Sequence, residues 1–188
     1  MPEEKELIER AQKGDGQALA ELYRANATRV YRYIYLRVQN TAEAEDLTQQ
    51  VFLKVIGAIR SFKWSGVPFA AWLIRVAHNE IIDHFRRENR VKTIPMDEKL
   101  GMPELDPGGL DPSAVAETSI EIGRMMEAVE RLPKAQKEVI SLRFAGGLSI
   151  AETARTLGKS EGTIKALQFN GVMSLRKLLY GDRDAGKT

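Results

Sequence analysis

Hydrophobic positions recur at steps of three and four along most of the chain, which is the spacing that places side chains on one side of an α-helix. Before residue 92 this pattern predicts four helices separated by short polar turns, with apolar positions that include Leu7, Ile8, Leu22, Val30, Ile34, Leu47, Val51, Leu73 and Ile81. The alternation typical of a half-buried β-strand is not found in the sequence. The first half of the chain is therefore predicted to be a compact helical domain.

The segment from Pro95 to about Ser113 departs from this pattern because prolines, glycines and acidic residues dominate it. Such a composition is typical of a linker rather than of a long helix. Helical periodicity resumes at Ile122. The predicted fold is all-α, with a helical domain at residues 1–94, an acidic flexible linker at 95–117, a helical domain with a helix-turn-helix at 118–182, and a frayed tail at 183–188.

Two short helical patterns meet around a glycine between Ser149 and Lys165. Ser149 and Glu152 have the spacing of a capping box, in which a hydroxyl and a carboxylate satisfy amide groups of the first helical turn. Gly158 stands where a left-handed residue can end that helix, and Ser160 can cap the next one. Helices in this arrangement present one of the pair to the DNA major groove. A plain helical hairpin with the same caps is the alternative.

Composition limits the chemistry that the chain can perform. Its 28 basic and 26 acidic residues leave a net charge of only +2, so a nucleic-acid surface requires local segregation of charge. There is no cysteine, which excludes disulfides and thiolate nucleophiles. His78 and His84 lack the one-turn spacing of a helical metal pair and are expected to pack or to face solvent. No secretory signal or membrane-length apolar run is visible, so we expect a cytoplasmic protein without membrane insertion.

Basic and aromatic side chains concentrate between residues 61 and 92. Arg75, Asn79, Asp83, Arg86 and Arg90 lie at helical steps along one side, and Arg87 widens this stripe. Four aromatic residues precede it, namely Phe62, Trp64, Phe69 and Trp72. Cations hold phosphates and aromatic rings stack on unpaired bases, so the segment is a candidate surface for single-stranded nucleic acid. For Phe69 and Trp72 the alternative of a packing role is favoured by their spacing, whereas Trp64 is harder to bury.

Several motifs, in this order, resemble those of the bacterial RNA polymerase sigma factors of the extracytoplasmic-function class, the minimal kind that keeps only regions 2 and 4. The resemblance spans residues 7 to about 180. It rests on Gly14-Asp15 with Ala18, Leu22 and Tyr23; Ala44 to Gln49 before Val51-Phe52; Trp72-Leu73 with Ala77, Asn79, Asp83 and Arg86; Leu132-Pro133 with Gln136, Val139, Leu142 and Arg143; and Gly147 to Lys165.

The resemblance implies a promoter-specificity subunit without catalysis, cofactor or metal, whose partners are core RNA polymerase, promoter DNA and an anti-sigma protein. It implies that the polymerase clamp is bound by Asp46, Gln49, Gln50 and Leu53. It implies that the melted minus-10 element is bound by Phe62, Lys63, Trp64, Arg75, Asn79, Arg86, Arg87 and Arg90. It implies that the minus-35 duplex is bound by Ser160, Glu161, Thr163, Lys165, Gln168 and Arg176.

One position and one segment depart from the pattern of the family. Gln50 stands where a glutamate is usual, and the segment from Ala166 to Val172 replaces several arginines of the recognition helix with largely apolar residues. Gly171 within that helix costs about 1 kcal/mol relative to alanine, which marks either close packing or a weakened helix.

Two other functions remain open on the sequence. A helix-turn-helix regulator that acts on duplex DNA without polymerase explains only the last third of the chain. A helical enzyme could use Glu43, Glu45 and Asp46, but these acids also suit the first turn of a helix, and no histidine lies near them in the sequence.

Overall fold

The computed structural model of the chain describes residues 2–64, 66–91 and 112–181. All regular secondary structure in these ranges is helical, as predicted. The helices are α1 (Pro2–Gln12), α2 (Gly16–Val38), α3 (Thr41–Ala58), α4 (Phe69–Val91), α5 (Pro112–Glu130), α6 (Lys134–Ile140), α7 (Ile150–Leu157) and α8 (Glu161–Tyr180). A 3-10 turn, Ile59–Ser61, follows α3, and a π-helical turn, Ser141–Ala145, follows α6.

The chain divides into two compact units, the first with helices α1 to α4 and the second with helices α5 to α8. The predicted domain boundaries at 94 and 118 are close to this division and stay predictions. Most of the predicted linker and the tail at 183–188 lie outside the described residues. Helix α5 begins at Pro112, earlier than the predicted domain, because a proline fits the first turn of a helix, where its missing N–H is not needed.

The first unit has an aliphatic and aromatic core drawn from α2, α3 and α4. Its fully buried side chains include Tyr33, Ile34, Leu47, Val51, Phe69, Leu73, Ile74 and Ile81. Helix α1 contributes Ile8 and Ala11, each only 2% exposed. Periodic apolar positions therefore face the interior as the sequence predicts, with Tyr23 as an exception at 48% exposure.

A tight turn joins α1 to α2 at Gly14-Asp15-Gly16. Gly14 has a φ of 89°, which favours glycine. The Asp15 carboxylate accepts hydrogen bonds from the amides of Gln17 at 2.9 Å and Ala18 at 3.2 Å, which caps α2. Its contact with Arg10 at 2.7 Å lowers the pKa of Asp15.

The second unit has a smaller core in which Val139, Ala154 and Ile164 are buried, with Ile150, Leu157 and Leu167 packed against them. Helix α8 approaches α6 closely at Gly171, where an added Cβ would lie 2.8 Å from Ile140 Cγ1. Of the two interpretations of this glycine, close packing is confirmed. Among the described residues, no helix combines the length and apolar composition needed to cross a bilayer.

Candidate nucleic-acid interface

One face of α3 carries the four residues predicted to bind polymerase. Asp46, Gln49, Gln50 and Leu53 are all exposed, and their spacing of three and four places them on one side of the helix. Leu53 is 69% exposed, and Ile56 continues the face with 52% exposure. The helix thus presents polar groups followed by apolar ones, which gives a second macromolecule both hydrogen bonds and apolar area to cover.

Three aromatic rings form a cluster where the 3-10 turn leads into α4. The ring of Phe62 lies 5.6 Å from that of Phe69 and 4.9 Å from that of Trp72. Phe69 is 1% exposed, so its predicted packing role is confirmed, and Trp72 is half-buried. Phe62 was assigned to DNA by resemblance, yet its half-buried ring packs in the same cluster. Lys63, which follows Phe62, is exposed, and Trp64 is half-buried.

The outer side of α4 carries the predicted basic stripe. Arg75, Asn79, Arg86 and Arg87 are exposed, whereas the side chain of Arg90 lies outside the described residues. Arg86 Nη1 is 3.1 Å from Asp83 Oδ1, and both side chains are largely open to solvent. An exposed pair of this kind contributes little to stability, so a phosphate can replace the carboxylate at small cost.

A buried carboxylate that the sequence analysis did not single out lies beneath this stripe. Glu80 is 3% exposed, its Oε2 contacts Lys54 Nζ from α3, and its Oε1 lies 3.3 Å from Arg87 Nη2. Since a buried charge requires partners, Glu80 fixes both cations on the same side of the unit. The signal in the sequence was a glutamate within the apolar stripe of α4, between Ala77 and Ile81.

The helix-turn-helix has the caps that the sequence predicts. The amide of Ser149 donates to Glu152 Oε2 at 2.7 Å, and the amide of Glu152 donates to Ser149 Oγ at 3.2 Å, which completes the capping box. Gly158 ends α7 with φ 62° and ψ 36°. Ser160 caps α8 by accepting from the amide of Thr163 at 3.1 Å.

Helix α8, the second helix of the helix-turn-helix, exposes most of the residues predicted to bind the minus-35 duplex. Ser160, Glu161, Thr163, Lys165 and Arg176 are exposed, although the hydroxyls of Ser160 and Thr163 lie 2.9 Å apart and satisfy each other. Gln168 is half-buried because its Oε1 accepts from Arg143 Nε at 2.7 Å. Arg143 also donates to the carbonyl of Leu148, so it joins the start of the helix-turn-helix to α8. Arg143 lies in the family motif that begins at Leu132-Pro133, but its pairing with Gln168 was not predicted.

The two histidines occupy different environments. His78 is 4% exposed, and its Nδ1 forms a hydrogen bond of 2.9 Å with the Tyr33 hydroxyl, which confirms a packing role. Burial, together with the charge of Arg37, lowers the pKa of His78 to about 4. Half-buried His84 lies 3.3 Å from Glu43 and 3.7 Å from Glu88.

His84 contacts Glu43 in space, although the two residues are distant in the sequence. No histidine lies near Glu43 along the chain, but packing of α4 on α3 brings His84 to it. Ligand atoms of Glu43, His84 and Glu88 lie within 4.8 Å of one another. This arrangement of two carboxylates beside an imidazole does not by itself indicate catalysis.

Comparison with known proteins decides the family. The pattern described as Sigma-70 region 2 matches residues 22–91, and that described as Sigma-70, region 4 matches residues 128–177. The ECF RNA polymerase sigma factor BldN of Streptomyces coelicolor is 42% identical over 94% of this chain and 66% of its own length. The ECF RNA polymerase sigma factor SigD of Mycobacterium tuberculosis is 30% identical over 90% of this chain and 81% of its own length. The chain belongs to the ECF RNA polymerase sigma factors.

Within this sigma factor, the candidate surfaces divide between the two matched regions. The α3 face, the aromatic cluster and the α4 stripe lie in region 2, whereas the helix-turn-helix lies in region 4. Helix α1 precedes the region 2 match. The solved structure of the sigma factor RpoE from Bartonella quintana, in complex with the anti-sigma factor NepR, shares the fold with a TM-score of 0.68. It is 24% identical and covers 87% of this chain and 98% of its own.

Proposed function

We propose that this sigma factor is a promoter-specificity subunit that binds core RNA polymerase, recognises minus-10 and minus-35 elements and promotes strand opening. It performs no catalysis of its own and acts in the cytoplasm with polymerase. The observation that carries the proposal is the arrangement of region 2, where α3 has an exposed face and α4 has a basic stripe. Glu80 joins Lys54 of α3 to Arg87 of that stripe.

Contact with core polymerase is assigned to the α3 face. Asp46, Gln49 and Gln50 offer polar groups, and Leu53 adds apolar area at the end of the face. Gln50 supplies an amide where relatives have a carboxylate, so the contact at that position is a neutral hydrogen bond. Interfaces of this kind depend on a few buried anchors surrounded by weaker contacts, and Leu53 is the anchor that this face offers.

Contact with the melted minus-10 strand is assigned to Lys63, Trp64 and the α4 stripe. Arg86 holds the backbone because a phosphate can replace its exposed partner Asp83. Arg87 does so because its guanidinium, placed by Glu80, stays largely open to solvent. Arg75 and Asn79 continue the surface toward the aromatic cluster. Phe62 contributes by supporting this cluster, since its ring is packed against Phe69 and Trp72.

Contact with the minus-35 duplex is assigned to α8. Lys165 and Gln168 are the proposed readers of bases, whereas Ser160 and Thr163 contribute through the capped amino end of the helix. Because Gln168 Oε1 is held by Arg143, the amide NH2 is the group that reaches a base acceptor. Arg176 lies farther along the helix and is assigned to the phosphate backbone.

Regulation by an anti-sigma protein is part of the proposal and rests on the resemblance to the family. RpoE was solved with such a partner. Exposed apolar side chains on α8, namely Phe169, Val172 and Met173, are surface that a protein partner can cover.

Open-complex formation with core polymerase tests the proposed function. We expect the chain to direct core enzyme to a promoter selected from its own regulatory region and to make thymines of the minus-10 element reactive to permanganate. Asp46→Ala should weaken binding to core polymerase, whereas Glu45→Ala, a change at an exposed neighbouring acid, should not. Tight duplex binding with no effect of core polymerase would instead support a helix-turn-helix regulator.

A further inference from the structure

Helix α1 makes hydrogen bonds to both ends of the segment that leads from α3 into α4. Gln12 Nε2, near the end of α1, donates to the carbonyl of Ile59 at 3.0 Å and to that of Phe62 at 2.7 Å. Glu4 Oε1, near its start, accepts from the amide of Phe69 at 3.2 Å. One helix therefore fixes the backbone at both ends of residues 59–69.

The contact of Gln12 uses the full donor capacity of one amide group. The two acceptors belong to Ile59, the first residue of the 3-10 turn, and to Phe62, the residue after it. The Phe62 amide also donates to the Ile59 carbonyl at 3.0 Å. With its carbonyl held by Gln12 and its ring held by Phe69 and Trp72, Phe62 is restrained on both sides of its Cα. Lys63 and Trp64 follow directly, so their direction depends on this restraint.

The contact of Glu4 serves a different need at the other end. Phe69 is the first residue of α4, and its amide is one of those that a helix cannot satisfy internally. A carboxylate at this end also interacts favourably with the helix dipole. Glu4 thus caps α4 from another helix and fixes the point at which the segment enters it.

The anchoring helix is itself fixed to the first unit. Ile8 and Ala11, which lie between Glu4 and Gln12, are each 2% exposed, and α1 packs on α2 and on the 3-10 turn. Because the apolar side of α1 is packed in the first unit, the position of α1 does not depend on its two polar contacts. These contacts therefore fix the position of the segment.

We propose that α1 is a brace for the segment that receives the melted strand, with Gln12 and Glu4 as its positioning residues. The brace holds Lys63 and Trp64 in the conformation that binds an unpaired base. The conformational entropy of these residues is therefore lost when the protein folds, and DNA binding does not have to order them. This inference rests on the proposed function of that segment. Both residues precede the Sigma-70 region 2 match, which begins at residue 22.

Substitutions at the two positions separate the brace from general stability. Gln12→Ala removes both donors, and Glu4→Ala removes the acceptor, whereas Glu4→Gln keeps an oxygen that can accept from Phe69. Matched controls are Gln17→Ala and Glu3→Ala, which alter an exposed glutamine and an exposed glutamate nearby. All variants are made in the full chain.

Two measurements follow each variant. Hydrogen exchange of peptides covering residues 59–69 reports the brace without polymerase. Binding to core polymerase and permanganate reactivity at the promoter then report docking and strand opening separately. We expect Gln12→Ala and Glu4→Ala to accelerate exchange and to lower the equilibrium constant for open-complex formation by roughly 3- to 10-fold, the effect of losing one or two net hydrogen bonds. Affinity for core polymerase should stay unchanged, and Glu4→Gln should restore opening.

Several results would overturn the brace. Unchanged exchange in both alanine variants would show that the contacts do not hold the segment. Faster exchange with normal opening would mean that α1 supports the fold and not strand opening. An equal loss of opening and of core binding would mean the same. Failure of Glu4→Gln to restore opening would exclude the hydrogen bond as the cause. A wild-type chain that opens no promoter would remove the proposed function and the role of the brace, while the exchange data would still report the contacts.

Discussion

The two units of the chain fix their candidate contact residues by different means. In the first unit, the contacts join positions far apart in the chain: Lys54 and Glu80 are separated by 26 residues, Gln12 and Phe62 by 50, and Glu4 and Phe69 by 65. In the second unit, the caps of α7 and α8 join residues only three apart. The surface proposed to bind the melted strand is thus built from tertiary contacts, whereas the helix proposed to read the duplex is positioned by local ones.

This difference matches what each surface is proposed to recognise. A duplex offers a regular groove, so a helix with fixed ends and a buried side meets it with little further adjustment. A melted strand has no fixed shape, so the protein must supply the geometry through side chains gathered from several elements. Tertiary contacts can be lost singly without unfolding a helix, and the first unit should therefore be easier to impair in function than in structure.

The largest expected effect concerns the small core of the second unit. Ile164→Ala should lower the free energy of unfolding by about 2 to 5 kcal/mol, because Ile164 is fully buried and its loss leaves a cavity beside Val139 and Ala154. Urea denaturation followed by circular dichroism measures the change. Phe169→Ala on the same helix is the control, since Phe169 is 67% exposed and should cost no more than about 0.5 kcal/mol. Equal losses in the two variants would contradict the assignment of the core.

The next effect concerns the buried histidine of the first unit. The pKa of His78 is about 4 in the fold against 6.5 for an unperturbed histidine, so the unfolded chain binds the proton more tightly. The stability associated with neutral His78 is complete above pH 6.5 and is lost as pH falls toward 4. We expect a loss on the order of 3 kcal/mol from this group.

Comparison with His78→Gln isolates this contribution, because carboxylates titrate in the same range in both proteins. Glutamine keeps an oxygen that can accept from the Tyr33 hydroxyl and carries no titrating group. Denaturation between pH 4 and pH 7 should give a shallower slope for the variant. Parallel slopes would show that Arg37 and burial do not disfavour the charged imidazole.

The two units should also differ in how they contact DNA. Gln168→Ala should relax discrimination at one base pair of the minus-35 element by about 1 to 3 kcal/mol. Arg87→Ala should weaken binding across promoter sequences and reduce the slope of log affinity against log salt by about 0.9 or less. Affinities of the polymerase complex for a set of single-base promoter variants, at several salt concentrations, measure both. A uniform loss for Gln168→Ala would reassign this residue to the backbone.

Close packing of α8 on α6 predicts a smaller effect with an informative sign. Gly171→Ala should lower the free energy of unfolding by about 1 to 2 kcal/mol, because the new Cβ would lie 2.8 Å from Ile140 Cγ1 and the overpacking exceeds the gain in helix propensity. Gly162→Ala is the control on the same helix, since its Cβ would meet only Ser160 Oγ at 3.8 Å. Thermal unfolding should show a loss for the first variant and no loss for the second. Stabilisation by Gly171→Ala would mean that Ile140 moves aside readily.

The same difference between the units explains how far the sequence could predict the structure. Ser149, Glu152, Gly158 and Ser160 act through neighbours within one helical turn, so their roles were visible in their spacing. The outward face of α3 was equally visible from periodicity. The contacts of Gln12, Glu4 and Glu80 depend on which helices pack together, and no local pattern contains that information. Gln168 shows that the second unit is not free of this limit, because its partner Arg143 is 25 residues away.

The smallest expected effect tests whether local caps fix the ends of the helices in the second unit. Ser149→Ala should cost about 1 kcal/mol, since it removes the side-chain acceptor for the Glu152 amide. Ser160→Ala is the matched comparison, because Ser160 accepts one backbone amide without a reciprocal glutamate. Both variants are measured by urea denaturation.

A double-mutant cycle with Glu152→Ala completes this test. In a capping box the two side chains each satisfy an amide at the other position, so the losses in Ser149→Ala and Glu152→Ala should not add up in the double variant. Additive losses would mean that the two hydrogen bonds form independently, and the helix-turn-helix would then owe its geometry to the buried core around Ile164. That result would remove the contrast between the units, because both would depend on contacts between distant parts of the chain.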